Sequence, residues 1–256
     1  MNILVCVKRV PATGGRVILT GDGRSIDDRF LSFTVSPHEE CAVEEAVRLA
    51  EAGGGATAVL TLGPEAAADQ LRDAMAIGID RAIHLVTDGE DWDPMATAGA
   101  IVDAILAERA AGITYDLVLF GNEAADSGDY QVPIRVAAAL GLPWLTGIKA
   151  IEVADGRVRA RRDASGAWEV FEVPLPAVLS VREGLNRPRY PSIPGRLRAK
   201  KKEIAVVRPE PRPGGPAKIR LRVPDEEERR VEILGTGPDA APAVVALLRD
   251  LGLVGR

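Results

Sequence analysis

Residues 121 to 132, GNEAADSGDYQV, run two glycines, two alanines and two aspartates up to the start of a helical pattern. Such a loop can carry an anion, because the first amides of a helix have no partner inside it and the helix dipole favours negative charge there. Asp126 and Asp129 are then either helix caps or acceptors for ribose hydroxyls. The same small residues also suit a tight strand-to-helix turn with no ligand, and spacing does not separate the two readings. Two more loops follow apolar strand patterns, one after NILVCVKRV at the N-terminus and one at LGPE, residues 62–65. In an open parallel sheet, ligands bind at the carboxyl ends of the strands, where the strand order reverses.

Other chemistries find no support. No G-x-G-x-x-G follows the first strand and no G-x-x-x-x-G-K-[ST] occurs, which argues against an ordinary dinucleotide-binding turn and against P-loop phosphoryl transfer. The only histidines are His38 and His84. His84, near a strand onset, reads as packing or surface, and His38, in a first helical turn, as a helix-end residue. No Ser-His-Asp or Cys-His set can be built, and two His with two Cys, lacking ligand spacing, give no metal site. The carboxylates fall mostly on helix faces, where solvated surface is the usual reading. The expectation is a nucleotide-binding scaffold without catalytic residues of its own.

The elements that would position these loops alternate. NILVCV is a short buried-strand run, and turn signals at Gly14-Gly15 and Gly21-Asp22-Gly23 suggest a small hairpin after it. In SPHEECAVEEAVRLAEAGGG, Ser36 is an N-cap, Pro37 the first helical residue and Glu39 the reciprocal member of a capping box. Ala42, Ala46, Leu49 and Ala50 share a face there, and Glu44 is spaced to pair with Arg48. ATAVLTLG, RAIHLV and YDLVLFG are strands. Helices are expected over 64–78, 94–110 and 130–140. Apolar strands alternating with helices describe an α/β fold, a doubly wound, mostly parallel sheet of Rossmann-like, adenine-nucleotide-binding type covered on both faces. An antiparallel hairpin over 156–173, a strand PAVLSV and a terminal helix APAVVALLRDLGL complete the chain.

Forty-six per cent hydrophobic and 27% charged content are those of a soluble globular protein. No apolar run approaches the roughly 18 residues of a membrane span, so no direct membrane insertion is expected. The N-terminus lacks a secretory pattern. Cys6 and Cys41 read as reduced packing residues, which implies a reducing compartment: cytoplasm, or the mitochondrial matrix in a eukaryote. The net charge is −5, yet residues 182–222 hold thirteen Arg or Lys against three Glu, +10, leaving −15 elsewhere. That asymmetry suggests a segment facing an acidic partner. Nucleic acid is not expected, because base stacking needs aromatics interleaved with the cations and Tyr190 is the only one. Residues 184–240 hold nine prolines and little periodic apolar content. The division expected is therefore a core over 1–183 and, over 184–256, a recognition loop with an extended arm that lies on a partner, helical only from Arg196.

LVCVKRV, SPHEECAVEEAVRLAE, GPE, LRDAMAIGIDRAIHL, YDLVLFGNEAAD, LPAVLSV and LNRPRYPSIPGRLRAKKKEI, taken in order over residues 3 to 204, resemble the beta subunits of electron transfer flavoproteins. The resemblance implies a heterodimer with an alpha subunit that holds the redox-active FAD. It would take electrons from acyl-CoA or related dehydrogenases toward a quinone oxidoreductase. In most members the beta subunit binds AMP structurally; in electron-bifurcating members, which use NADH, a second FAD takes that place. Mapped here, the nucleotide pocket comprises Cys6, Ser36, Pro37, His38, Glu39, Leu62, and the run Gly121, Asn122, Glu123, Ala124, Ala125, Asp126, Ser127, Gly128, Asp129, Tyr130, Gln131 and Val132. First-strand backbone would meet the adenine, and the turn and helix start over 126–132 would hold phosphate. AMP-type members often read DDDxNQT where this chain has DSGDYQV, and bifurcating members DGDTxQVG, where Pro133 replaces the final Gly; AMP is the favoured ligand. An aromatic of some members near the flavin is Thr13 here. The resemblance makes Ile193 the anchor in a pocket of the client dehydrogenase, with Tyr190, Arg198, Lys200, Lys201 and Lys202 flanking it. A free-standing nucleotide-binding regulator of the universal-stress type shares this kind of fold but would not need residues 184–256.

Overall fold

The structure, a computed structural model, describes residues 1–254 apart from 13, 15, 16, 90, 213 and 225–230. Strand β1 (Ile3–Val7) is apolar throughout and fully buried, so it needs cover on both faces. A two-stranded antiparallel patch follows, β2 (Val10–Pro11) with β3 (Phe33–Thr34). Between its strands a turn at Gly21–Gly23 closes over a bridge from Leu19 to Ile26, the expected small hairpin; Gly15 of the other turn signal lies outside the described residues. Then come α1 (Pro37–Gly53), β4 (Thr57–Gly63), α2 (Ala68–Ile77), β5 (Arg81–Val86), α3 (Pro94–Ala110), β6 (Leu117–Gly121) and α4 (Gln131–Leu140). The chain continues through β7 (Trp144–Ala154), β8 (Arg157–Ala164), β9 (Ala167–Pro174), β10 (Ala177–Val181), α5 (Ile193–Lys201), β11 (Ile204–Val207) and α6 (Ala241–Asp250).

Nine strands form one sheet in the order β11-β5-β4-β1-β6-β10-β7-β8-β9. Its pairs are parallel from β11 to β7 and antiparallel through β8 and β9. This is the expected doubly wound α/β architecture. Alternate residues of β1 serve opposite layers: Ile3, Val5 and Val7 pack with α1 and α2 through Ala42, Val43, Ala46 and Leu71, while Leu4 and Cys6 pack with α3 and α4 through Ile101 and Val136. The chain builds outward from β1 to β4 and β5, then returns to β6 on the other side of β1. That reversal puts the switch point between β1 and β6.

Three features depart from the sequence reading. Strand β7 was not expected, because Gly147 breaks its apolar pattern; it exists because its first half pairs parallel with β10 and its second half antiparallel with β8. Helix α5 begins at Ile193 rather than Arg196. Ser192 caps it, its hydroxyl accepting from the Gly195 amide at 3.1 Å, and Pro194 falls in the first turn, where no amide is needed. The segment from 184 also adds to the core: α5 packs on α2, and β11 pairs parallel with β5 from Ile204–Ala82 to Val207–Leu85. Residues Met1–Arg220 form one compact unit and Leu221–Arg256 another, so the break by packing lies well beyond the break by composition at 183. None of the described residues of the second unit is buried, α6 included.

The α2–α5 contact depends on a glycine. A Cβ on Gly195 would stand 2.4 Å from the Ala76 carbonyl oxygen, a backbone atom that cannot swing aside. Gly195→Ala is therefore expected to lower stability by roughly 1–3 kcal/mol through overpacking. Urea unfolding checks this; a midpoint equal to that of the parent would show that α5 does not need this approach.

Candidate functional site

A cleft of about 170 Å³ opens at the carboxyl ends of β1, β4 and β6, at the switch point. Leu60, Leu62 and Phe120 give it apolar walls, Gly63 and Gly121 leave backbone bare, and Lys8 and Arg9 bring two cations as the chain leaves β1. Flat apolar walls with a few convergent polar groups suit a planar base bearing an anionic tail.

Glu39 fixes this geometry. The capping box forms as expected: the Glu39 amide donates to Ser36 Oγ at 3.3 Å, and Glu39 Oε2 accepts from the Ser36 amide at 2.9 Å and its hydroxyl at 3.1 Å. The other oxygen, Oε1, accepts the Lys8 amide at 2.7 Å, tying the N-terminus of α1 to the end of β1. Gly121 must be glycine for this, since a Cβ there would meet Glu39 Cγ at 2.7 Å. Burial pushes the Glu39 carboxyl up to about 7, against the lowering effect of its bonds to Ser36 and Lys8. Burial, with a smaller push from Glu39, also raises the Cys6 thiol far above its ordinary range, so it packs as a neutral group.

The loop after β6 closes on itself. Gly128 N donates to Ala124 O at 2.7 Å, Ala124 N donates to Asp129 O at 2.9 Å, and Asp129 Oδ1 accepts the Gln131 amide at 2.7 Å. Asp129 is thus a cap at the start of α4, and Asp126 accepts from Lys8 Nζ at 2.8 Å across the mouth of the cleft.

Of the residues expected at a nucleotide site, Cys6, Glu39, Leu62, Gly121, Glu123, Ala124, Ser127, Asp129 and Val132 line this cleft. Asp126 reaches it through Lys8, and buried Ser36 supports it from beneath through the capping box that Pro37 opens. Ala125, Gly128 and Gln131 belong to the loop without lining the cleft. His38 turns elsewhere: its Nδ1 accepts the Glu183 amide at 2.7 Å and its Nε2 lies 3.7 Å from Glu123. Asn122 and Tyr130 line a second concavity. Thr13 lies outside the described residues. The sequence reading missed Lys8 and Arg9, and it missed Asp91 and Trp92 of the loop after β5. The signal was present, since β5 is parallel to β4 and its carboxyl end must open on the same side.

The stretch from 184 is clamped to α1. Asn186 Nδ2 donates to the Cys41 carbonyl and to Glu45 Oε2, both at 2.9 Å. Arg189 forks onto Glu44 at 2.9 and 3.0 Å and onto Glu51 at 2.8 and 3.0 Å. Both acids raise the Arg189 guanidinium further above its ordinary value. Two expectations are thereby corrected. Glu44 does not pair with Arg48, which instead meets Glu45 at 3.2 Å, and Glu44 and Glu45 are buried rather than solvated because this segment covers them, while Glu39 is buried against Ser36, the Lys8 amide and Gly121. His84 is buried, as packing.

Beyond the clamp, Tyr190 is 96%, Ile193 76% and Leu197 58% exposed. Leu197, one turn after Ile193, was not anticipated. Arg198, Lys200 and Lys201 are exposed on the last turns of α5, whereas Lys202 turns inward and donates to the Ile79 carbonyl at 2.6 Å. Other cations of the basic segment meet the chain's own acids: Arg196 with Asp73, Arg208 with Glu65, Arg212 with Asp103 and Lys218 with Asp91.

Because the Glu39 carboxyl is raised from 4.5 to about 7 in the fold, the native state holds its proton over that window while the unfolded chain has lost it. Its contribution to stability is therefore complete below pH 4.5 and is lost as the pH rises through about 7, a change on the order of 3 kcal/mol. Glu39→Gln should remove that dependence, so the stability gap between parent and variant should narrow with rising pH. Denaturant titrations across this range check it, and parallel pH profiles for the two proteins would contradict it.

Comparison with known proteins follows the same elements. The electron transfer flavoprotein domain model matches residues 27–211. The electron transfer flavoprotein subunit beta of Syntrophomonas wolfei is 41% identical over 208 residues, 81% of this chain and 79% of that protein. Its counterpart in Bacillus subtilis is 36% identical over 205 residues, 80% and 77% of the two chains. The electron transfer flavoprotein subunit beta, mitochondrial, of Oryza sativa subsp. indica is 35% identical over 211 residues, 82% and 83%. Since the match runs from ahead of α1 through β11, and so spans both the Glu39 capping box and the clamped loop, the chain belongs to the electron transfer flavoprotein beta-subunit family.

Proposed function

We propose that this chain is the nucleotide-holding, client-docking half of a heterodimeric electron carrier. The cleft takes AMP in a structural role, with the base between the aliphatic walls of β4 and β6 and the phosphate toward Lys8 and the loop over 126–132. The sister alpha subunit would hold an FAD, and that flavin supplies the electron chemistry. This chain's residues bind, orient and dock; none is assigned a bond-making role.

One observation carries the docking reading. Arg189 and Asn186 spend seven hydrogen bonds on side chains of α1 to fix a loop whose next apolar residues, Tyr190 and Ile193, point to solvent. A fold does not ordinarily brace an exposed isoleucine unless something else covers it. A small, rigid apolar tip buries little area, which suits a brief redox encounter. Pro188, Pro191 and Pro194 limit the entropy lost on docking, and exposed Arg198, Lys200 and Lys201 favour an acidic rim on the client. Lys202 instead holds the turn between α2 and β5, through the Ile79 carbonyl. The clients would be acyl-CoA or related dehydrogenases, as in fatty acid oxidation, with electrons passing on to a quinone oxidoreductase. Residues 221–256 would lie on the alpha subunit, because a segment none of whose described residues is buried cannot offset its own chain entropy. Among the described residues no helix is long and apolar enough to cross a membrane. We place the protein in the cytoplasm, or in the matrix in a eukaryotic cell.

Ile193→Ala should raise the apparent KM for the donor dehydrogenase by roughly 10- to 100-fold, the value of one buried aliphatic side chain, with heterodimer and flavin content unchanged. Stopped-flow reduction measures this, and unaltered kinetics would refute the anchor. Arg189→Ala should give a similar loss with Ile193 intact, because the clamp rather than the tip is removed. For the cleft, nucleotides released from the purified heterodimer are expected as one FAD and one AMP. Two FAD with NADH oxidation would replace AMP by a second flavin.

A further inference from the structure

Asn122 and Tyr130 belong by sequence to the loop of the nucleotide cleft, yet they face a different space. A second concavity of about 280 Å³ lies where β6 and β10 end against β7, bordered by these two with Ile134, Thr146, Gly147, Arg162, Asp163 and Arg182. Its centre is a bare glycine. Gly147 holds φ +72°, and the place a Cβ would occupy is 3.7 Å from Arg182 Cδ, 3.7 Å from Asn122 Oδ1 and 3.9 Å from Arg162 Cδ. Three long polar side chains thus converge on a position that any other residue would strain and fill.

The donors around it are largely unspent. The Arg182 backbone N–H donates a hydrogen bond to the Ile148 carbonyl at 2.9 Å, but among the described residues its guanidinium has no hydrogen-bond or ion-pair partner. Arg162 gives its Nε to Glu169, leaving its terminal nitrogens. Ser180 Oγ lies 3.4 Å from Asn122 Oδ1, which leaves the Asn122 amide hydrogens free for another acceptor. The Tyr130 hydroxyl is engaged with Glu123. Asp163 is the one carboxylate on the wall, against two guanidinium groups. Glu169 already answers Arg162, so Arg182 is the cation left without an ion-pair partner here, at strand ends of a parallel sheet. Guanidinium forks match the paired oxygens of phosphate and carboxylate.

We propose that Arg182, Arg162 and Asn122, gathered around Gly147, form an oxyanion subsite for a phosphate-type group, separate from the nucleotide cleft. The phosphate either belongs to a free phosphorylated small molecule or is carried on the sister subunit by its dinucleotide. The subsite stands on this chain's geometry and does not depend on AMP filling the cleft.

Pyrophosphate is the probe, titrated calorimetrically into the full chain and into its complex with the alpha subunit, with and without AMP. Millimolar or tighter binding is expected for the full chain, unchanged by AMP. Arg182→Ala should weaken it at least tenfold, and the Arg162→Ala, Arg182→Ala double variant should abolish it. Arg161→Ala makes the same charge change on the strand's alternate position, beside Trp168 and Glu152, and should leave binding intact. Circular dichroism verifies the fold of each variant, and Arg182→Gln replaces Arg182→Ala should the latter not fold. Binding by the full chain but not by the complex assigns the phosphate to the sister subunit; binding by both assigns it to a free ligand. The subsite is overturned if the full chain shows no binding, if AMP competes the probe away, or if Arg161→Ala costs as much as Arg182→Ala. A failure of AMP to bind at all would sink the nucleotide reading and leave this result standing.

Discussion

A single buried carboxylate organises the functional end of this molecule. Glu39 closes the capping box of α1 with one oxygen and holds the Lys8 amide, just past the end of β1, with the other. A buried carboxylate without such partners would cost several kcal/mol, so the three donors and the acid depend on one another. The pairing sets how α1 approaches the sheet, which in turn demands a bare Gly121 at the end of β6. The cleft is the space left when these constraints are met.

The basic segment is registered on the core by a different device. Its cations are distributed over acids of helices and loops: Glu44, Glu51, Glu65, Asp73, Asp91 and Asp103. Exposed ion pairs contribute little each, about 0–1 kcal/mol, so they steer the segment's course more than they stabilise it. The fork of Arg189 onto a buried Glu44 is the exception, since a buried acid left unpaired is strongly unfavourable. Thus five of the thirteen cations of residues 182–222 answer the chain's own acids. The cations left outward on α5, beside Ile193 and Leu197, are among those free to meet another protein.

Within one loop, neighbouring residues serve different spaces. Gly121 and Glu123 line the cleft at the ends of β1, β4 and β6, while Asn122 faces the concavity around Gly147. This follows from the strand that precedes them, in which successive side chains point to opposite faces. A stretch that reads as one motif is thereby divided between two concavities, one with apolar walls and one lined by arginine.

The sequence by itself determined the order of strands and helices, the parallel sheet, the capping box at Ser36 and Glu39, and the place of the cleft at the strand ends. These follow from apolar periodicity and from residues three apart, which are local relations. Only the tertiary structure decided that β7 forms across Gly147, that α5 starts at Ile193, and that β11 extends the sheet, because each depends on a partner strand or helix distant in the chain. The same holds for the Arg189 clamp on Glu44 and for the gathering of Arg162, Arg182 and Asn122. Charge and spacing along a chain carry no account of which acid a remote arginine will meet; the sheet, by bringing strand ends together, supplies it.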